Sequence, residues 1–206
     1  MISFEEETHT YRDQQGNVVP GVTRILKPLE DFEFVPQEVL QAAADFGTKV
    51  HKAVEWHIAG TLDWNSLDEA LVPYVKAADV WLAQTKPDVL ATEALLYHER
   101  HGYAGLADIV YQFKRRQRYQ LAVGDWKSSV VLPRTVGPQT AAYASAYEDM
   151  HGLKKRLYRN CIILKPDGLP KDEPQNDLAF DQAIFQSCLN VYRFKNPKPT
   201  PQRNAA

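Results

Sequence analysis

The chain has 206 residues, of which 44% are apolar, 24% charged and 11% aromatic, and its net charge is −2. These fractions belong to an ordinary globular chain and exclude collagen, coiled coil and general disorder as the main architecture. The sequence has no run of about 18 apolar residues to span a membrane, and its two cysteines, Cys161 and Cys188, are too few for a four-cysteine zinc or iron–sulfur centre.

Residues 9–26, HTYRDQQGNVVPGVTRIL, predict a β-hairpin whose polar turn lies at Asp13–Asn17. The acidic, polar start before it lacks a targeting pattern, and the expectation is a reduced, cytoplasmic protein. A helix is predicted from about Pro36 to Ile58, with Gly60 as its stop. Val39, Ala43, Phe46, Val50 and Val54 recur at helical steps and predict a buried stripe. A second helix is predicted from Ser66 to Thr85, where Ser66 and Glu69 have capping-box spacing and Leu71, Val75 and Leu82 share a face. Three strands follow at 89–97, 103–113 and 119–127. A helix over 138–150 closes at Gly152, a strand covers 156–164, and a last helix over 177–192 is capped by Asn176. One domain over 1–194 and a mobile tail over 195–206 complete the expectation. Three consecutive strands, a crossover helix and a further strand predict an α/β fold with a mixed central sheet flanked by helices.

Chemistry concentrates in four short motifs. GLADIV at 105–110 and GDWKSS at 124–129 place Asp108 and Asp125 in apolar strands, where a carboxylate is unfavourable unless paired or metal-bound. A hairpin turn centred on Arg116–Gln117 sets Asp108 opposite Asp125, with Cβ atoms about 5 Å apart. Lys127 then shares a face with Asp125. Two carboxylates and a lysine at one point suit phosphodiester hydrolysis: the carboxylates hold a divalent ion through oxygen, and the lysine orients water or stabilises charge. FGTKVHKAVE at 46–55 puts His51 and Glu55 on one helical face, and QTAAY at 139–143 does the same for Gln139 and Tyr143. Each motif also has a plain structural reading: a solvent-facing Asp–Lys pair, a hydrogen-bonded core histidine, a capping glutamine with a core tyrosine.

The ordered set G-T-x-x-H-x-x-x-E, G-x-x-D, D-x-K and Q-x-x-x-Y resembles the RecB-like branch of the PD-(D/E)XK nuclease superfamily. Together with VPGVTRIL at 19–26, it looks most like the mitochondrial genome maintenance exonucleases and their phage relatives, from about Tyr11 to Tyr192. The resemblance implies a restriction-endonuclease-like core and DNA cleavage dependent on Mg²⁺ or Mn²⁺. It implies His51, Asp108, Asp125 and the Trp126 carbonyl as metal ligands, Lys127 as catalytic lysine, and Gln139 and Tyr143 as supports. Thr23, Arg24, Thr48, Lys127, Ser128 and Arg134 would meet DNA, and Glu55 and Glu93 would stand at or beside the metal. No iron–sulfur cluster is expected. The implied substrate is single-stranded DNA ends in recombination or repair, cut to 5′-phosphate and 3′-hydroxyl ends. A structure-specific endonuclease and an inactive DNA-binding module are the rival readings. A monomer is expected, working alone or with a separately encoded recombination or replication protein. The basic runs KRRQR at 114–118 and KKRLYR at 154–159 would track phosphates, and Phe32 and Phe34 would either stack on bases or cover the core.

Overall fold

The computed structural model describes residues 2–30, 34–129 and 131–197. A small antiparallel sheet opens the chain: β1 (Ser3–Glu5), β2 (Thr10–Arg12) and β3 (Val18–Val19). The predicted hairpin is its β2–β3 half, and Asp13 makes the turn by accepting from the backbone N–H groups of Gln15 and Asn17. The VTRIL segment is a short helix, α1 (Val22–Leu26), which buries Val22, Ile25 and Leu26.

The central sheet holds β4 (Asp88–His98), β5 (Tyr103–Arg115), β6 (Arg118–Lys127), β7 (Tyr158–Leu164) and β8 (Pro170–Pro174), in that spatial order. It is mixed, because β6 and β7 run parallel and their connection carries α4 (Val136–Met150). On one face lie α2 (Gln37–Ile58) and α3 (Val72–Thr85), whose Val50, Val54, Val75 and Trp81 meet Ile109, Tyr111, Trp126 and Ile162. On the other lie α1, α4 and α5 (Leu178–Lys195), over Ala107, Val110 and Val123. The chain is therefore an α/β fold with a mixed five-stranded sheet between helices. No described helix is long and apolar enough to cross a membrane.

The β5–β6 turn is the one predicted. Arg116 and Gln117 both take positive φ, 45° and 64°, as a two-residue hairpin turn requires. The register follows, with Ile109 opposite Gly124 and Lys114 opposite Tyr119.

Several expectations are corrected. The second helix starts at Val72, because Asp63 and Asp68 fold residues 63–70 into turns by accepting from the Asn65 and Ala70 N–H groups. Ser66 makes no helix cap; its hydroxyl donates to the Asp63 carbonyl. The last helix is capped by Asp177, which accepts from Phe180 N–H at 3.1 Å. Edge strand β8 was not predicted, since prolines at both ends hide its pattern. The stripe on α2 is buried only at Val50 and Val54; Phe46 is half-buried, Ala43 is exposed and Val39 is 55% exposed. Much of the predicted tail, residues 198–206, lies outside the described residues, as does Phe32.

Gly105 shows why the G-x-x-D motif starts with glycine. A Cβ there would lie 2.5 Å from Tyr143 Cε1 and 3.3 Å from Val22 Cγ2. Gly105→Ala is expected to displace the Tyr143 ring and cost about 1–3 kcal/mol, the usual range for overpacking. Thermal unfolding checks the cost, and a Tyr143→Ala background is expected to remove most of it.

Candidate active site

Regular pairing of β5 with β6 stops at Ile109–Gly124, and the site lies at this fork. Asp108 turns its carboxylate across the gap, where Oδ2 accepts from the Trp126 backbone N–H at 2.7 Å. Its other oxygen, Oδ1, lies 3.3 Å from His51 Nδ1 on α2. On β6, Asp125 Oδ2 lies 2.7 Å from Lys127 Nζ. Asp125 Oδ1 accepts from Gln139 Nε2 at 3.0 Å, and the same amide nitrogen donates to the Tyr143 hydroxyl at 3.2 Å. The helix, two strands and second helix that carry the four motifs thus bring His51 to Asp108, and Lys127, Gln139 and Tyr143 to Asp125, with the two carboxylates near enough for the Asp108 charge to act on Asp125. The plain reading of Asp125 and Lys127 as a solvent-facing pair fails, because Asp125 is 1% exposed.

Glu93 completes the acidic group from the neighbouring strand. Ala91 and Ala94 of β4 pack on the same cluster as Val110 and Ala107 of β5, three residues apart in each strand. Face alternation therefore breaks in both strands between these positions while their register holds. Glu93 sits at the break with φ of 45°, a conformation that costs a non-glycine residue about 1–3 kcal/mol. The break places Glu93 with Asp108 and His51, so that one ligand atom from each lies within 4.8 Å of the others. An acidic residue in an apolar strand was the only sequence signal for it.

The charges are strongly interdependent. Burial raises the Glu93 carboxyl to about 7, and the nearby Asp108 charge adds to the effect. Burial also raises Asp125, against the opposing pull of Lys127. At Asp108, burial is outweighed by His51, Lys127 and the Trp126 N–H, which hold the carboxyl below its ordinary value. Burial would lower His51 and Lys127, but Asp108 and Asp125 respectively outweigh it and raise both. Burial pushes the Tyr143 phenol well up, so it stays a neutral hydrogen-bonding group.

This donor set fits a hard divalent cation. His51, Glu93 and Asp108 offer one nitrogen and two carboxylate oxygens to a common point, a combination suited to Mn²⁺ and Mg²⁺. Two close carboxylates, one carrying a raised pKa, favour a cation between them. Asp125 Oδ2 is buried and has no hydrogen bond of good geometry despite the close Lys127 ammonium, so it retains acceptor capacity. Trp126 contributes its N–H to Asp108 and its ring to the core against Trp81. Glu55 pairs with Lys52 at 2.9 Å on the rim.

Glu93→Gln is expected to weaken Mn²⁺ binding at least about tenfold. Glu93→Gly is expected to do the same while raising Tm, because it removes both the strained side chain and the buried carboxyl. Calorimetric titration and thermal melts of the two variants check this pair of opposite signs.

The outlying predicted contacts separate into groups. Ser128 Oγ lies near Gly47 of α2, beside the fork. Thr48 donates to its own helix at Ala44 O. Thr23, Arg24 and Arg134 are exposed, and Arg24 stacks over Tyr192 at 5.9 Å. The KRRQR turn is exposed, but the seven residues from Asp108 to Arg115 set it about 23 Å from the site along β5. The KKRLYR run does not form one basic face. Arg156 pairs with Glu148 at 2.6 Å, and Arg159 is buried, bonded to Asp181 Oδ2, Gly137 O and Gln175 O at 2.9 Å each. Phe34 is 93% exposed and covers no core.

Searches of protein-family models and of curated proteins return no match to this chain.

Proposed function

We propose that this chain is a divalent-metal-dependent DNA nuclease of the RecB-like PD-(D/E)XK type, acting as an exonuclease on single-stranded ends in recombination or repair. The observation that carries the reading is the buried juncture of Asp108, Asp125 and Lys127 with His51 and Gln139 at the fork. A binding module has no use for carboxylates held this close together, since they repel phosphate.

His51, Asp108 and Asp125 would hold the ion, with Glu93 as a further ligand and the Trp126 carbonyl as the resemblance implies. Bound there, a divalent ion supplies Lewis-acid polarisation of the phosphate and acidifies bound water. The chain's own groups supply positioning. Gln139 fixes the Asp125 carboxylate from one side and Lys127 from the other. The Lys127 ammonium, beside Asp125, would orient water and offset the charge that grows as oxygen adds to phosphorus. Water adds to phosphorus, the P–O3′ bond breaks, and the 3′-oxygen leaves with a proton, giving 5′-phosphate and 3′-hydroxyl ends.

Closed single-stranded circles separate the proposed exonuclease from an endonuclease on the same core. Linear strands are expected to vanish in Mn²⁺ while circles stay intact. Cut circles would replace the exonuclease by the endonuclease, and retention of DNA without metal-dependent cleavage would leave only the binding module.

A further inference from the structure

The segment leading into α2 and the first three turns of the helix carry an apolar stripe that nothing in the described structure covers. Phe34 is 93% exposed, Val39 55% and Val35 38%, and Ala42 and Ala43 beside them are exposed. The same stripe enters the core further on, at Phe46 against Tyr74 and at Val50 and Val54.

The chemistry of the edge identifies the partner. Glu38 and Asp45 lie seven residues apart, two turns along one side of the stripe, and Asp45 accepts from Gln41 at 2.7 Å. Over residues 34–46 the charged side chains are Glu38 and Asp45, both acidic. Such a face repels a phosphate backbone. Phe34 is therefore a poor platform for bases, although it is fully available.

At the far end of the β5–β6 hairpin the same molecule carries the complementary surface. Lys114, Arg116 and Arg118 are exposed around the turn, Arg115 stacks over Tyr158 at 5.4 Å, and Tyr119 beside them is 66% exposed. We propose that the acidic apolar face at residues 34–46, formed by the start of α2 and the segment leading into it, docks on the basic β5–β6 turn and Tyr119 of a second copy of this chain. The pairing joins two different surfaces, so it is head-to-tail and builds closed rings or open chains of copies. It is independent of the proposed nuclease activity and uses none of the groups at the fork.

Sedimentation velocity of the full chain tests it at about 0.05 M and about 0.5 M salt, where screening differs severalfold. Association is expected at low salt and dissociation at high salt. Glu38→Lys with Asp45→Lys is expected to weaken association at least about tenfold, as is Lys114→Glu with Arg118→Glu. All four changes together are expected to restore it. These side chains are exposed, and circular dichroism of each variant establishes that it folds. A monomer at every concentration, or association that neither pair of reversals alters, would overturn the proposal. Loss of DNA retention in a Phe34→Ala variant, with monomeric wild type, would instead assign this face to nucleic acid and also overturn it.

Discussion

Replacing Lys127 with methionine is expected to lower metal-dependent DNA cleavage by at least about 10²–10³-fold, the usual cost of losing one preorganised stabilising group. Methionine keeps the volume of the aliphatic stem and removes the ammonium that lies 2.7 Å from Asp125 Oδ2. Mn²⁺ binding is expected to persist, because the His51, Glu93 and Asp108 ligand atoms remain in place. Stability is expected to fall, since Asp125 is buried and loses its cation. Asp125→Asn in the same chain is expected to recover that stability and no cleavage. Steady-state cleavage and metal titration of Lys127→Met, at a temperature where thermal melts show it folded, separate a structural role of Lys127 from a chemical one. A purely structural lysine would leave cleavage intact in the folded variant.

Arg159→Met is expected to destabilise the fold by about 3–5 kcal/mol, as breaking a buried ion pair on one side does. Arg159 is 3% exposed and ties β7 to α4, α5 and the segment after β8. Its Nη1 donates to Gly137 O at the start of α4, and its Nη2 donates to Gln175 O after β8 and to Asp181 Oδ2 on α5. Methionine leaves Asp181 as a buried charge and leaves these carbonyls without their donor. Urea unfolding measures the loss. The phosphate-tracking role expected from the sequence predicts the reverse pattern: unchanged stability with weaker, less salt-sensitive DNA binding.

Arg159 also marks where a sequence stops being readable. A run such as KKRLYR advertises charge, and only the fold decides that one of its arginines points inward to an aspartate 22 residues away. Local rules succeeded where local physics governs. The β5–β6 register was legible because a two-residue turn admits one pairing, which holds from Arg115–Arg118 to Ile109–Gly124 and stops one pair short of Asp108 and Asp125. His51, Gln139 and Tyr143 were legible as helical neighbours of the right elements. The helix start at Ser66 was misread because two aspartates compete for the same backbone donors. The α2 stripe was misread because periodicity shows that a face is apolar and leaves open what covers it. Glu93 was underweighted because its position depends on a break in alternation that no residue type announces.

On the proposed function, the groups meeting at the β5–β6 fork cut DNA with a bound divalent ion. The most direct measurement is a time course on end-labelled linear single-stranded DNA with Mn²⁺ or EDTA, using wild type and the folded Lys127→Met variant side by side. The account predicts strand loss only in wild type and only with Mn²⁺, with the label released as short 5′-phosphorylated products. Equal cleavage by the variant, or cleavage that continues in EDTA, would contradict it.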